Sequence, residues 1–314
     1  MFSIRRFGVA CGVVGMAIAA PAAVSAQGDL RPEKGLFEKD FSGFASFSPT
    51  DMSVNAFGNH FFSRSLALTA TAGFSHFDNG EGTTTSESIE AGLLASPYQL
   101  SNSLGLFGSA QVGFSHFPGQ SEVIYDLYAG VRYAPSRNGT VYAGLSYSGF
   151  KGGHEWEIGA SLMPAVRPDD RGKFLQAQKG LLEIGFNTAY FFDSKEFDLS
   201  GRIAPYLTNR IQVGADVNFS HVSGFTFTDL TGWATMDIPL GAPGRLTPFF
   251  GGLVGYTKST DSNGFMNFGP QAGLRYSCSP RTAVSLAGAY RIYSGSGPDN
   301  AFGLNLMSSV YFGK

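Results

Sequence analysis

From Glu38 to the C-terminus the chain alternates apolar and small polar residues with period two, interrupted roughly every 10 to 15 residues by polar turn residues. In one segment Leu66, Leu68, Ala70, Ala72 and Phe74 make one face, and Ala67, Thr69, Thr71, Gly73 and Ser75 make the other. Ile211, Val213, Ala215, Val217 and Phe219 repeat the pattern, against Gln212, Gly214, Asp216, Asn218 and Ser220. Period two sends successive side chains to opposite faces of a strand. An apolar face backed by a small polar face over about 10 residues marks a membrane-crossing strand.

Composition supports a lipid-facing exterior. Charged residues are 15% of the chain, against about 25% in a soluble domain. Glycine and aromatics are abundant instead, with 42 Gly, 29 Phe and 13 Tyr. Beyond the first residues no segment is apolar enough for a membrane helix, so a closed antiparallel β-barrel remains as the way to satisfy backbone groups in a bilayer. The formal charge of -2 excludes the basic stripe of a nucleic-acid binder.

Residues 1–26 read as a signal peptide: Arg5 and Arg6, an apolar run from Phe7 to Ala20, then Val24-Ser25-Ala26 before the expected cleavage. Export through it implies the cell outer membrane of a Gram-negative bacterium. Only Cys278 survives that cleavage, so no disulfide framework, metal cluster or cofactor site is expected.

The barrel sequence is present twice. Gly35-Leu36, Glu38 and Phe41 recur as Gly180-Leu181, Glu183 and Phe186, an offset of 145 (180 minus 35). Phe74-Ser75-His76 recurs at the same offset as Phe219-Ser220-His221, and Ala129 to Tyr133 recurs with small changes as Ala272 to Tyr276. Each copy yields eight expected strands. The first occupies 27–163 and the second 181–314, with a proline-punctuated periplasmic linker over 164–180. The expected fold is all-β: a transmembrane antiparallel barrel of 16 strands, or alternatively two tandem eight-stranded barrels. An even strand count places the turns at Ser63-Arg64, 135–138 and 277–281 on the periplasmic side.

The repeat resembles the small outer-membrane barrel domains of the OmpA/OmpX-like family, present here in duplicate. The resemblance rests on an aromatic pair, a polar turn and an alternating strand: Phe61-Phe62-Ser63-Arg64-Ser65-Leu66-Ala67-Leu68, and again Tyr206-Leu207-Thr208-Asn209-Arg210-Ile211-Gln212-Val213. The last strand, Phe302 to Phe312, is similar to the terminal strand such proteins offer to the barrel assembly machinery, although Gly313 and Lys314 follow the aromatic. The resemblance implies that machinery, outer-membrane lipid and lipopolysaccharide as partners. It implies a fold and a location, and leaves activity and oligomeric state open.

Strand parity sends charge inward at repeated positions. The candidate lumen charges are Glu38, Glu90 and Arg132 in the first half, and Glu183, Arg202, Asp216, Arg275 and Arg291 in the second. Asp40, Glu155, Glu157, Asp198 and Asp237 also fall on inward faces. These charges either filter solutes in a wet lumen or pair with one another inside a filled barrel. The excess of first-half acids over Arg132 favours a shared 16-stranded lumen, and hence a porin-like passive channel for small solutes. The alternative is a structural or surface-interaction protein of two tandem barrels without a pore. His76, His116 and His221 lack the spaced serine and acid of a hydrolase, so no catalytic residues are expected. Trp156, Trp233, Tyr147, Tyr290, Tyr293, Tyr311 and Phe312 are read as girdle aromatics.

Overall fold

The computed structural model describes residues 29–47, 50–78, 82–170, 172–222, 224–238, 244–260, 262–294 and 300–313. The signal-peptide expectation lies outside them. The first half forms β1 (Phe37–Phe47), β2 (Thr50–Phe61), β3 (Leu66–Asp78), β4 (Thr83–Gln99), β5 (Leu104–Phe117), β6 (Gln120–Ser136), β7 (Gly139–Phe150) and β8 (Gly153–Val166). The second forms β9 (Leu182–Phe191), β10 (Glu196–Pro205), β11 (Ile211–Val222), β12 (Phe225–Asp237), β13 (Leu246–Ser259), β14 (Phe265–Ser279), β15 (Thr282–Tyr293) and β16 (Ala301–Phe312). Each strand pairs antiparallel with its chain neighbours, and β1 meets β16, closing a sixteen-stranded barrel.

β1 begins and β16 ends at the same rim, called here the near rim; the opposite end is the far rim. The near-rim turns at 62–65, 100–103, 137–138 and 280–281 are tight, and β-bulges shift the register just before the last three, at 95/98, 133/136 and 277/279. Cys278, expected in a turn, lies in the last bulge of β14. β8 runs on to Val166, and a short 3-10 turn follows at Pro168–Asp170.

The outward faces are apolar and open. Ile89, Val112, Phe114 and Leu230 are among many large exposed side chains there. Contiguous apolar surface on this scale is foreign to a soluble monomer and fits a hydrocarbon surround. No helix among the described residues is long and apolar enough to cross a membrane.

One departure from a simple barrel governs everything below. Toward the far rim β1 pairs with β16 from Ser42↔Met307 to Ser46↔Gly303, and β8 pairs with β9 from Glu157↔Phe191 to Ser161↔Asn187. At the near rim the partners are exchanged. Phe37 and Glu38 of β1 pair with Val166 and Ala165 of β8, while Val310, Tyr311 and Phe312 of β16 pair with Ile184, Glu183 and Leu182 of β9. The wall is therefore one sixteen-stranded circuit above and two eight-stranded circuits below. The two architectures the sequence leaves open are combined, one at each end.

Where the two lower lobes touch, their outward faces pack on each other. Val141 and Leu162 of the first lobe bury against Val310 and Phe312 of the second, with Tyr133, Ile184 and Phe186 around them. The residue types are those that face lipid elsewhere, which is why sequence pattern alone marks Phe312 as a girdle residue. Trp233 and Tyr311 also depart from that expectation: both are buried on the inward faces of β12 and β16, Trp233 opposite Leu253 and Tyr311 opposite Glu183. Trp156 and Tyr290 are exposed, as a girdle requires.

Candidate functional site

Eight strands enclose a space just wide enough for side chains to fill, and both lower lobes are filled. In the first, Leu36, Phe61, Ala67, Leu94, Phe107, Tyr142, Met163 and Ala165 form one buried cluster. Phe107 meets Tyr128 and Tyr142 edge-on at 4.8 and 4.9 Å between ring centroids. Gly130 and Gly144 let β6 and β7 approach closely beside it, since a Cβ on either would stand about 2 Å from a carbonyl oxygen of the partner strand.

Within this packing sits Glu38, fully buried. It takes a 2.5 Å ion pair from Arg132, a 2.8 Å hydrogen bond from the Thr140 hydroxyl and another from the Tyr142 hydroxyl. Arg132 also donates to Thr140 at 3.2 Å and lies over the Phe61 ring. A buried charge is tolerable when its partner and its remaining lone pairs are satisfied, as here.

The second lobe builds a larger network around Glu183, the repeat-equivalent of Glu38. Gln212, Ser309 and Tyr311 donate to its carboxylate at 2.6, 2.6 and 2.9 Å, and Arg202 stands 3.6 Å away. Arg202 closes a two-pronged pair with Asp216, at 2.7 Å on each prong. Arg275 pairs with Asp237 at 2.8 Å and donates to Tyr206 at 2.5 Å. Gln212 joins the halves of this network, because Arg275 also donates to its carbonyl oxygen at 2.8 Å.

The repeated acid and base are thus brought together directly in the first lobe and only through Gln212 in the second. Arg291, also an expected lumen charge, lies higher in the wall and pairs with Asp229 at 3.2 Å. Glu90 joins neither network; it is buried in the wall of the first half with its Oε2 unpartnered. Pattern reading placed Asp237 inward among the charges but missed Thr140, Tyr142, Tyr206, Gln212, Ser309 and Tyr311 as network members. Their inward parity was readable, but which inward side chains reach across the interior depends on closure.

A strap crosses each floor. In residues 29–36 Leu30 donates its backbone N–H to Asn102 in the β4–β5 turn, Glu33 pairs with Arg167 at 2.7 Å, and Leu36 is buried under the lobe. In residues 172–181 Phe174 lies under Arg245 beside the start of β13, and Leu175 and Leu181 pack against Tyr206, Ala283 and Tyr311. The straps match in sequence, Leu30, Lys34, Gly35 and Leu36 with Leu175, Lys179, Gly180 and Leu181. Gly35 donates to the Phe61 carbonyl and Gly180 to that of Tyr206, at φ of 86° and 90°. The last part of the expected linker, residues 172–180, is therefore packed against the second lobe.

Above the floors the interior is unevenly filled: inward Asp229, Thr257 and Asn267 near the far rim are buried and joined by hydrogen bonds, whereas the wall beside β1 and β2 is open. The inward Phe44 is 45% exposed, and Asn55 opposite Ser42 is exposed as well. His76, His116 and His221, on outward faces near the far rim, each bond a hydroxyl on the neighbouring strand at 2.8 Å: Thr85, Ser121 and Thr226.

No protein-family model and no curated protein matches the chain. Among solved structures, a bacterial polysaccharide outer membrane secretin aligns over 90% of this chain and 100% of its own, at 11% identity and a TM-score of 0.49. The monoaromatic hydrocarbon channel CymD aligns over 94% and 91%, at 11% identity and 0.38. The N-terminal β-barrel domain of Pseudomonas aeruginosa OprF aligns over 44% of this chain and 100% of its own, at 21% identity and 0.30. All three similarities have TM-scores under 0.5, and the functional reading rests on this chain's own geometry.

Proposed function

We propose that the chain is an outer-membrane barrel that encloses a vestibule toward the outside and is shut at the periplasmic rim by two side-chain-filled floors. It is a closed channel rather than an open porin. The observation that carries this reading is the division of one sixteen-stranded wall into two packed eight-stranded lobes. A sixteen-stranded circuit leaves an aqueous lumen, whereas an eight-stranded one is filled by its own residues. The near rim is read as periplasmic because both ends of the strand array lie there. The duplicated OmpA/OmpX-like origin and the signal peptide belong to the same proposal, with the strap-plus-eight-strands unit as the copied module.

Planar-bilayer recording tests it. The purified protein gives no conductance steps, whereas Phe61→Ala/Phe107→Ala/Tyr142→Ala, which hollows the first floor, gives small steps. Heat-modifiable migration on gels checks that the variant is folded. Steps of open-porin size from the unaltered protein, or silence from the folded triple variant, overturn the reading.

A further inference from the structure

The partner exchange at the near rim is matched in register on all four strands. Continued downward at its own register, the β1–β16 ladder places Glu38 opposite Tyr311 and Phe37 opposite Phe312. The β8–β9 ladder likewise places Ala165 opposite Glu183 and Val166 opposite Leu182. These are the residues that now pair as Phe37↔Val166, Glu38↔Ala165, Tyr311↔Glu183 and Phe312↔Leu182. The same holds upward. The β1–β8 ladder continues to Ser42 opposite Ser161 and Ser46 opposite Glu157, and the β9–β16 ladder to Asn187 opposite Met307 and Phe191 opposite Gly303. Those residues now pair across the other seams. In each scheme inward residues face inward residues, so no strand slips and no side chain changes face.

We infer that the channel opens by strand exchange at this four-way junction: β1 leaves β8 for β16 while β9 leaves β16 for β8, merging the two floors into one lumen. Each ladder pair broken is replaced by another, so backbone hydrogen bonds are conserved and no strand edge is left bare in hydrocarbon. At the junction β1 has left β8 and not yet met β16, and there the Phe41 N–H is held by the Ser308 hydroxyl at 2.8 Å.

The buried networks lie where such an exchange would have to cut. Glu38 on β1 is held from β6 and β7 by Arg132, Thr140 and Tyr142, all beyond the β1–β8 seam. Glu183 on β9 is held from β16 by Ser309 and Tyr311, across the β9–β16 seam. The two glutamates are the latches, one per floor. This inference rests on the closed-channel reading and adds the route by which the channel opens.

Cysteine pairs in the full chain carrying Cys278→Ser test it. Phe37→Cys/Val166→Cys captures the seam as it stands; Phe37→Cys/Phe312→Cys and Val166→Cys/Leu182→Cys together capture the merged state. In lipid vesicles under mild oxidant the first pair forms readily and stays silent in bilayers. The merged-state pairs form more slowly, gain roughly tenfold in yield when Glu38→Gln and Glu183→Gln release the latches, and conduct until a reductant is added. Two results overturn strand exchange: merged-state pairs that never form in the latch variants although the first pair does, or formed pairs that remain silent. If the hollowed first-floor variant conducts while the merged-state crosslinks are silent, the closed-channel reading stands and only the exchange fails. If both are silent, both fail.

Discussion

Two arginines on inward faces show how much position in this barrel matters. Arg132 is 2% exposed and holds a glutamate with no exposure at all; Arg291 is 30% exposed and pairs with a buried Asp229 higher in the wall. Arg132→Ala would leave Glu38 charged and buried, a loss of about 3–5 kcal/mol. Arg291→Ala would cost less, about 1–3 kcal/mol, because the guanidinium is itself partly hydrated and Thr257 still donates to the buried Asp229. Urea unfolding in lipid vesicles measures both, and equal losses would contradict the difference in burial. Inward parity made both residues readable from sequence. It could not rank them, because alternation describes a strand's two faces and carries nothing about height along the lumen or what lies across it. Asp237 and Gln212 show the same limit: each is correctly inward by parity, yet their meeting at Arg275 depends on how β11, β12 and β14 curve around one lobe.

The straps are the elements that sequence reading placed least well. They lack alternation, because a segment crossing a barrel mouth is anchored at a few points rather than along a face. Leu30 and Leu175 are each 7% exposed, and Leu36 and Leu181 nearly none, so each strap is pinned at both ends. The positive φ of Gly35 and Gly180 turns the strap upward into the first strand of its repeat. Gly35→Ala would force an L-residue into that left-handed conformation at about 1–2 kcal/mol. The substitution should lower the urea midpoint and leave Gly180 and the second floor intact. A midpoint unchanged within error would mean that the turn adjusts freely. The strands themselves were legible, because period-two alternation over ten or more residues has one reading once helices are excluded. The partner exchange was not legible, since a strand's pattern records which face is apolar and is the same whichever neighbour it takes.

At the scale of the whole molecule, the proposed duplication would account for the coexistence of both architectures. Each repeat carries a strap, a latch glutamate and eight strands, and its first and last strands are in register to close on each other. Residues 172–314 expressed behind a signal peptide should therefore assemble as an eight-stranded, heat-modifiable barrel; a product that is degraded or fails to shift on heating would show that the register match does not suffice for closure. In the full chain the lobes differ in outline from the wall above them. A perimeter of sixteen strands drawn as one ring encloses about twice the area of the same perimeter drawn as two rings. In the proposed membrane placement one leaflet would surround a single ring and the other two joined rings with an apolar waist. So placed, the protein would act as a wedge, and a change in the height of its junction would alter the curvature that the surrounding lipid has to accommodate.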